Sequence, residues 1–451
     1  MNNEALFRDK PVWKAIFSLA IPSVLTILVM IVYNMADLFF IGMLGDDTQV
    51  AAIAVVGPVF SLATAVATML GAGGCAVIAR FLGEGQREKA QSVGSLCIWG
   101  AILFGGIFTA IMLLATNPIL HLLGTTEDMM GFAAQYMRTL SIGSCLMLFS
   151  VVMASVVRAE GMILPGMLSN MAGTVTNILL DPLFILVFGM GVTGAAVATV
   201  IGNGVASLLL VMNIRKKSAI LTFSPKPALR RPGLLFHTAA VGLPNAVSSL
   251  LSGFASTFSN QILSIYGSGV IAAMAAAGCA TMVITMVQMG ICMGMSPLLA
   301  YNYGAKNLHR LKEILIKTLI LSTGFGFIAT TGCFLGCDAI LGMFLKDSNN
   351  LEAAKQMMFW LLIASPLLGI YYLGSNFLQA AGKAFQATVI SVLRQGLLLI
   401  PCLYIMHSLL GLSGVAAAHT IADVVAVLAA LWCMLRQYRT LEKETCSVKL
   451  P

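Results

Sequence analysis

Charge is what this 451-residue sequence has least of. Asp, Glu, Lys and Arg together make up 10% of it, against 59% hydrophobic residues and a mean hydropathy of +0.93. A chain of this length cannot hide that much apolar surface inside one water-soluble core, so a soluble enzyme or binding module is excluded and a multi-pass membrane protein is expected. The net charge of +8 and pI of about 9.0 do not point to nucleic acid, because the basic residues lie in short breaks between apolar runs rather than in one patch or stripe. No C-x-x-C pair occurs among the ten cysteines, and nine of them lie within or at the ends of apolar runs, which excludes a zinc site and a secreted disulfide framework. Cys333 and Cys337, one helical turn apart, read as small apolar residues. A Walker A sequence is also missing, so ATP is not expected to drive this chain directly, and without H-E-x-x-H or G-x-S-x-G there is no enzyme signal.

What is present is a series of long apolar runs. The first, Ala15 to Ile41, is 27 residues long and no small-residue cleavage pattern follows it; a signal-peptide core is about 7–15 residues, so this run reads as a retained span. At about 20 residues per crossing, twelve spans are predicted: 15–41, 51–79, 92–116, 131–157, 164–188, 192–214, 236–266, 271–300, 313–336, 353–378, 388–407 and 414–436. An even count puts both termini on one side. Of the 26 Lys and Arg, 22 fall on that side, Arg138, Lys346 and Lys355 fall opposite, and Arg394 lies within span 11. The positive-inside rule then makes both termini cytoplasmic.

The longest polar break, Arg215 to Gly233, combines six basic residues with three prolines and divides the chain nearly in half. The expected organisation is an N-terminal lobe at 1–214, a cytoplasmic linker at 215–235, a C-terminal lobe at 236–436 and a cytoplasmic tail at 437–451. Landmarks of the two halves pair at a nearly fixed offset: Pro22 with Pro244, Gly45 with Gly267, Gly83 with Gly304, Gly161 with Gly382, Gly194 with Gly414, and Asn203 with Asp423. Six spans per repeat make both copies enter the membrane in the same direction. The fold class predicted is therefore an all-α membrane protein of twelve transmembrane helices, with two parallel six-helix repeats forming two lobes around a central cavity.

Polar residues inside the spans mark candidate chemistry. Asp37 sits near the far end of span 1 among apolar residues, where an acid at the bilayer centre costs about 2.5–3.5 kcal/mol and is retained for a pathway, a relay or a bound ion. Span 5 carries Asn170, Thr174, Asn177 and Asp181 on one helix face, followed at once by Pro182, which should bend the helix and free a backbone oxygen. Span 6 adds Thr199, Asn203 and Ser207, and span 1 adds Ser23, Thr26, Tyr33 and Asn34. Ser, Thr and Asn on such faces read first as helix-packing glue. The two acids do not, because the first half has no evident buried Lys or Arg for both, Arg138 being the only rival partner. Span 7 repeats the seam without charge, as Asn245, Ser249, Ser252, Ser256 and Asn260. In span 8, Met282, Met286, Met289 and Met293 form a stripe that reads first as packing and second as a surface able to fit varied apolar shapes. His419 and Asp423, one turn apart, read as a mutually satisfied pair or as a second titrating site.

These residues resemble the multidrug and toxin extrusion transporters over essentially the whole chain. The resemblance rests on the early proline of span 1, on Y-N-x-x-D into F-F-I-G from Tyr33 to Gly42, and on A-R-F-L-G-x-G after span 2. It rests also on R-A-x-G after span 4, N-x-x-x-D-P from Asn177 to Pro182, and G-V-x-G-A-A opening span 6. It implies a multidrug efflux protein of the cell membrane that exports cationic or amphipathic organic compounds by antiport with H⁺ or Na⁺, with alternating access between two lobes. Small-molecule substrates and membrane lipid would be its partners, with no nucleic acid and no cofactor besides the coupling ion, and the protein would be monomeric. Carried over by position, the cation-coupling site is Asp37, Asn177, Asp181 and Thr199, where Na⁺ would also bind. Tyr33 and Asn34 would face the substrate cavity, and Asn203, Ser256 and Met286 complete the candidate substrate-binding set. Where some members have acids of a second-lobe site, this chain has Ser256, Asn260 and Asn376, and an asparagine found in span 4 of some relatives is replaced near Ala154 or Ser155. A lipid-linked saccharide flippase of related architecture is the alternative. It would line its cavity with several Arg or Lys for a pyrophosphate, and the first lobe supplies almost none.

Overall fold

The protein is described by a computed structural model over residues 5–43, 47–343 and 348–447. Among those residues every regular element is helical, as a lipid environment demands, because only a helix or a closed barrel satisfies its backbone polar groups internally. Twelve helices are long and apolar enough to cross a membrane: Val12–Asp37, Thr48–Gly83, Arg87–Leu114, Glu127–Glu160, Ile163–Val187, Gly191–Lys217, Leu234–Ser264, Gly269–Gly304, Leu308–Leu335, Asn350–Ala380, Ala384–Leu410 and Leu412–Thr445, hereafter spans 1 to 12. Each falls on a predicted run, and nine of the twelve helices are longer than the apolar stretch they cover. Bilayer thickness limits the apolar length, whereas the hydrogen-bond ladder of a helix continues into water, as where span 12 runs on through the basic tail to Ser447. Leu103, Ile142, Leu179 and Ile328 stand exposed on the flanks of spans 3, 4, 5 and 9, as side chains that face lipid do.

The chain forms two compact units, one of Met1–Leu6 with Leu25–Gly242 and one of Phe7–Val24 with Leu243–Pro451. Membership changes inside spans 1 and 7, next to the helix-internal Pro22 and Pro244. Within the second unit the start of the chain is held firmly. Arg310 donates to the Phe7 carbonyl at 2.9 Å and to the Lys10 carbonyl at 2.6 Å, and the Asn302 amide donates to Phe7 at 3.3 Å. Gly294 lies so close to span 1 that a Cβ there would stand 2.8 Å from the Leu19 carbonyl. In the first unit, Gly73 and Gly242 permit an equally close backbone approach of spans 2 and 7.

The paired glycines among the described residues do the same work in both repeats. Gly161 and Gly382 end spans 4 and 10 in the same left-handed conformation, at φ 75° and 73°, which a side chain would strain. Gly194 and Gly414 open spans 6 and 12 against the carbonyls of Phe184 and Met406, leaving no room for a Cβ. Gly83 and Gly304 close spans 2 and 8; Gly45, the partner of Gly267, lies outside the described residues. The long polar break after span 6 is pinned rather than loose. The Glu160 carboxylate accepts from the Ser218 hydroxyl at 2.7 Å and from the backbone N–H of Leu221 at 2.9 Å, and Trp99 donates to the Phe223 carbonyl at 3.2 Å.

One crossing positions the site. Spans 5 and 6 meet at Gly173 and Gly202, where a Cβ on either would come within 2.6 or 2.7 Å of the other's carbonyl oxygen. Small residues at a lipid-embedded crossing let backbones approach and dispersion forces act. Gly202→Val should therefore destabilise the purified protein by roughly 1–3 kcal/mol, the usual range for overpacking, and loosen the Asn177–Thr199 pair one turn away. Thermal unfolding in detergent reads this; an unchanged midpoint would show that the crossing is not tight.

Candidate functional site

Beyond the glycine crossing, spans 5 and 6 face each other through Asn177 and Thr199, and Asn177 and Asp181 are both buried. In the amide orientation that satisfies its neighbours, Asn177 donates to Asp181 Oδ2 at 3.1 Å and accepts from the Thr199 N–H at 2.9 Å and the Thr199 hydroxyl at 3.2 Å. The other Asp181 oxygen, Oδ1, is buried without a hydrogen-bond partner, and so is Asp37 Oδ1. Neither acid has an ion-pair partner among the described residues. Tyr33 of span 1 lies near Thr199 and both acids, and Tyr136 of span 4 lies near Asp37, Tyr33 and Asp181. Five of the residues singled out in the sequence, Tyr33, Asp37, Asn177, Asp181 and Thr199, thus come together in the first unit. Asn34 belongs to the same helix, but its side chain lies outside the described residues.

Several expectations change. The bend after Asp181 takes the form of a π-turn, Leu183–Val187, immediately after Pro182; such turns are rare and concentrate at functional sites. From span 4 the residue near the acids is Tyr136. Ser155 lies at the other end of that helix, where it accepts from Arg158 at 2.8 Å. A tyrosine inside an apolar helix, four residues after Phe132, offers no periodic signal, and only its proximity to two acids distinguishes it. Arg138 is exposed and does not pair with the acids. Asn203 is committed locally, donating to the Thr199 carbonyl at 2.9 Å and accepting from the Ser150 hydroxyl at 3.1 Å.

In the second unit, Asp423 is not satisfied mainly by His419. Its Oδ1 accepts from Arg394 Nε at 2.7 Å, and the guanidinium lies over the rings of Tyr371 and Tyr372 at 4.6 and 5.5 Å. His419 instead meets the Ser259 hydroxyl at 3.3 Å. The physical reason is charge: Arg394, from the π-turn Leu393–Leu397 of span 11, brings an always-charged guanidinium whose hydrogen bond to a carboxylate is stronger than that of an imidazole one turn away on the same helix. Ser256 and Met286 line a cavity of about 450 Å³ beside this pair. Met282 and Met289 line it as well while Met293 does not, so most of the methionine stripe faces space rather than packed core.

A family model described as MatE matches residues 22–183 and again residues 244–405. The chain belongs to the MatE family. It is 30% identical over 448 residues to the multidrug export protein MepA of Staphylococcus saprophyticus, covering 98% of this chain and 99% of that one. A MepA of Staphylococcus aureus is 30% identical over 437 residues, covering 96% of each chain. Among solved structures, a MATE in complex with MaL6 superposes with a TM-score of 0.92 at 25% identity, covering 98% of this chain and 100% of that one. An outward-facing MATE family transporter of the MOP superfamily superposes with a TM-score of 0.90 at 25% identity, covering 98% and 99%. The two MatE matches begin at Pro22 and Pro244, the prolines beside which spans 1 and 7 change unit. The acids of the MatE chain's first unit fall inside the first match, whereas His419 and Asp423 lie beyond the second.

For a hard cation, the donors in the first unit are right in kind, since Na⁺ prefers oxygen and both acids hold an unpartnered one. The Asn177 oxygen is already occupied by two bonds from Thr199, and its N–H faces Asp181. The second unit offers a different balance, a charge-neutral pair with side chains only 11% and 19% exposed. Breaking such a pair by removing one partner costs about 3–5 kcal/mol, and removing both costs far less. Arg394→Gln should therefore destabilise the protein more than Arg394→Gln combined with Asp423→Asn. Unfolding midpoints of the single and double variants decide the matter, and equal losses would mean the pair is not coupled.

Proposed function

We propose that this MatE chain is a secondary active multidrug efflux transporter of the cell membrane, exporting bulky cationic or amphipathic organic compounds in exchange for protons, working as a monomer with both termini cytoplasmic. The observation that carries the reading is the pair Asp37 and Asp181, each with a buried, unpartnered carboxylate oxygen in a lipid-embedded unit. The names of the MepA relatives support the class of cargo, and the excess of Lys and Arg on one side supports the orientation. A carboxylate withdrawn from water is stabilised either by taking up a proton or by binding a cation. The proton reading is favoured over Na⁺ because Asn177 offers Asp181 an N–H, while its oxygen is already committed to Thr199.

In this scheme the acids, when ionised, hold the cation-binding form, and protonation removes the charge and lets span 1 repack around Tyr33 and Tyr136. Span 1 contributes Val12–Val24 to one unit and the residues from Leu25 onward to the other, so repacking at Asp37 acts on a helix shared by both. The difference in stability between the two forms is the coupling free energy. The flippase reading is not favoured, since among the described residues Arg394 is the only Arg or Lys lining the cavity of the second unit.

Efflux of a cationic dye from proteoliposomes, with pH and sodium gradients imposed separately, tests the coupling. The pH gradient should drive it, and Asp37→Asn or Asp181→Asn, inserted at matched levels, should abolish it. Near-normal transport in either variant would overturn the assignment. Dye affinity of the purified protein should fall as pH is lowered, because protonation removes the negative charge that attracts the cation, and the dependence should vanish in Asp37→Asn. Binding indifferent to pH would rule out the proton scheme; binding that weakens with sodium alone would replace the proton with Na⁺.

A further inference from the structure

The lining of the second unit's cavity is chemically mixed. Span 8 contributes Met282, Met286 and Met289, with flexible, polarisable thioethers, together with Thr285. Tyr372, Arg394 and Asp423 come from spans 10, 11 and 12, and Ser252 from span 7. At about 450 Å³ the space falls within the range of small-molecule sites, roughly 300–1,000 Å³.

The state of the guanidinium is informative. Arginine carries five N–H donors in a planar fork that suits a carboxylate edge-on. Asp423 takes only Nε, through one oxygen at 2.7 Å, and Tyr372 takes one donor of Nη1 at a long 3.5 Å. The rings of Tyr371 and Tyr372 hold the plane from its face. The Nη edge therefore keeps donors that no described residue accepts from, on a residue that lines the cavity. A cation would meet Asp423 there already neutralised by Arg394, whereas a carboxylate would find unused donors. Asp37 and Asp181 of the first unit have the opposite character, acids without a basic partner among the described residues.

The geometry points to a ligand site inside the second unit for an organic carboxylate with a bulky, preferably aromatic body: the Nη edge of Arg394 takes the carboxylate, Asp423 remains on Nε and steadies the fork, and Met282, Met286 and Met289 cover the rings. This site deepens the proposed efflux function by adding anionic or zwitterionic aromatic compounds to the cargo. It rests on that function for its meaning, though not for its binding.

The test is fluorescence titration of the purified full-length protein with dansylglycine and with its uncharged methyl ester. The acid should bind saturably and roughly tenfold or more tightly than the ester, as a charge-assisted hydrogen bond warrants. In Arg394→Gln that preference should disappear. Because that variant leaves Asp423 unpaired, the double variant Arg394→Gln with Asp423→Asn is measured too, with thermal unfolding as the control for folding, and must also lose the preference. Asp423→Asn alone should tighten the acid several-fold by removing the nearest like charge, and Met286→Ala should weaken acid and ester alike. Asp37→Asn and Asp181→Asn should leave dansylglycine binding unchanged even where dye efflux is lost, which separates failure of this site from failure of the efflux scheme. Equal affinity for acid and ester, or an acid preference that survives in the folded double variant, would overturn the proposal.

Discussion

A lipid bilayer offers a polar group no hydrogen bond, and most of this structure follows from that constraint. Helices satisfy their own backbones, and Ser and Thr inside them return a hydroxyl to the carbonyl one turn back, as Ser23, Thr64, Ser141, Thr176 and Ser256 do. Side chains that cannot be satisfied in this way must find one another across helices. That requirement concentrates the polar chemistry at a few crossings, and the crossings are tight only where glycine lets the backbones touch. The Gly173–Gly202 contact is the one on which the acid cluster depends, since it brings Asn177, one turn before Asp181 on span 5, within reach of Thr199 on span 6.

The two repeats use one scaffold for two electrostatic solutions. Both carry a proline inside their first helix, a left-handed glycine after their fourth and a glycine-backed opening of their sixth. In the first repeat the acids come from spans 1 and 5 and keep oxygens without partners. In the second, the acid comes from span 12 and is met by an arginine from span 11, whose ring contacts hold it in place. An unpaired buried carboxylate can respond to a proton or a cation. A paired one is already neutral and remains so, which suits a wall that shapes a cavity. The π-turns Leu183–Val187 and Leu393–Leu397 lie beside these two groups, in spans 5 and 11.

The number of helices, their approximate bounds, the repeat and the placement of Asp37 and Asp181 inside apolar runs were legible in the amino-acid sequence, because hydropathy, spacing and a charge inside an apolar run are local properties. The seam from Asn170 to Asp181 was legible for the same reason, as a fixed step along one helix. Tyr136, the partnership of Arg394 with Asp423 and the opening of Met282, Met286 and Met289 onto a cavity were not. Each depends on which helix lies next to which, and on the side it turns inward. A buried arginine reads the same in sequence whether an acid awaits it or not, and a methionine stripe reads the same against lipid, core or empty space. The sequence by itself determined a twelve-helix, twice-repeated membrane chain with two exceptional acids. Only the tertiary structure decided which polar groups satisfy one another and which are left over, because that outcome is settled by close approach between helices distant along the chain.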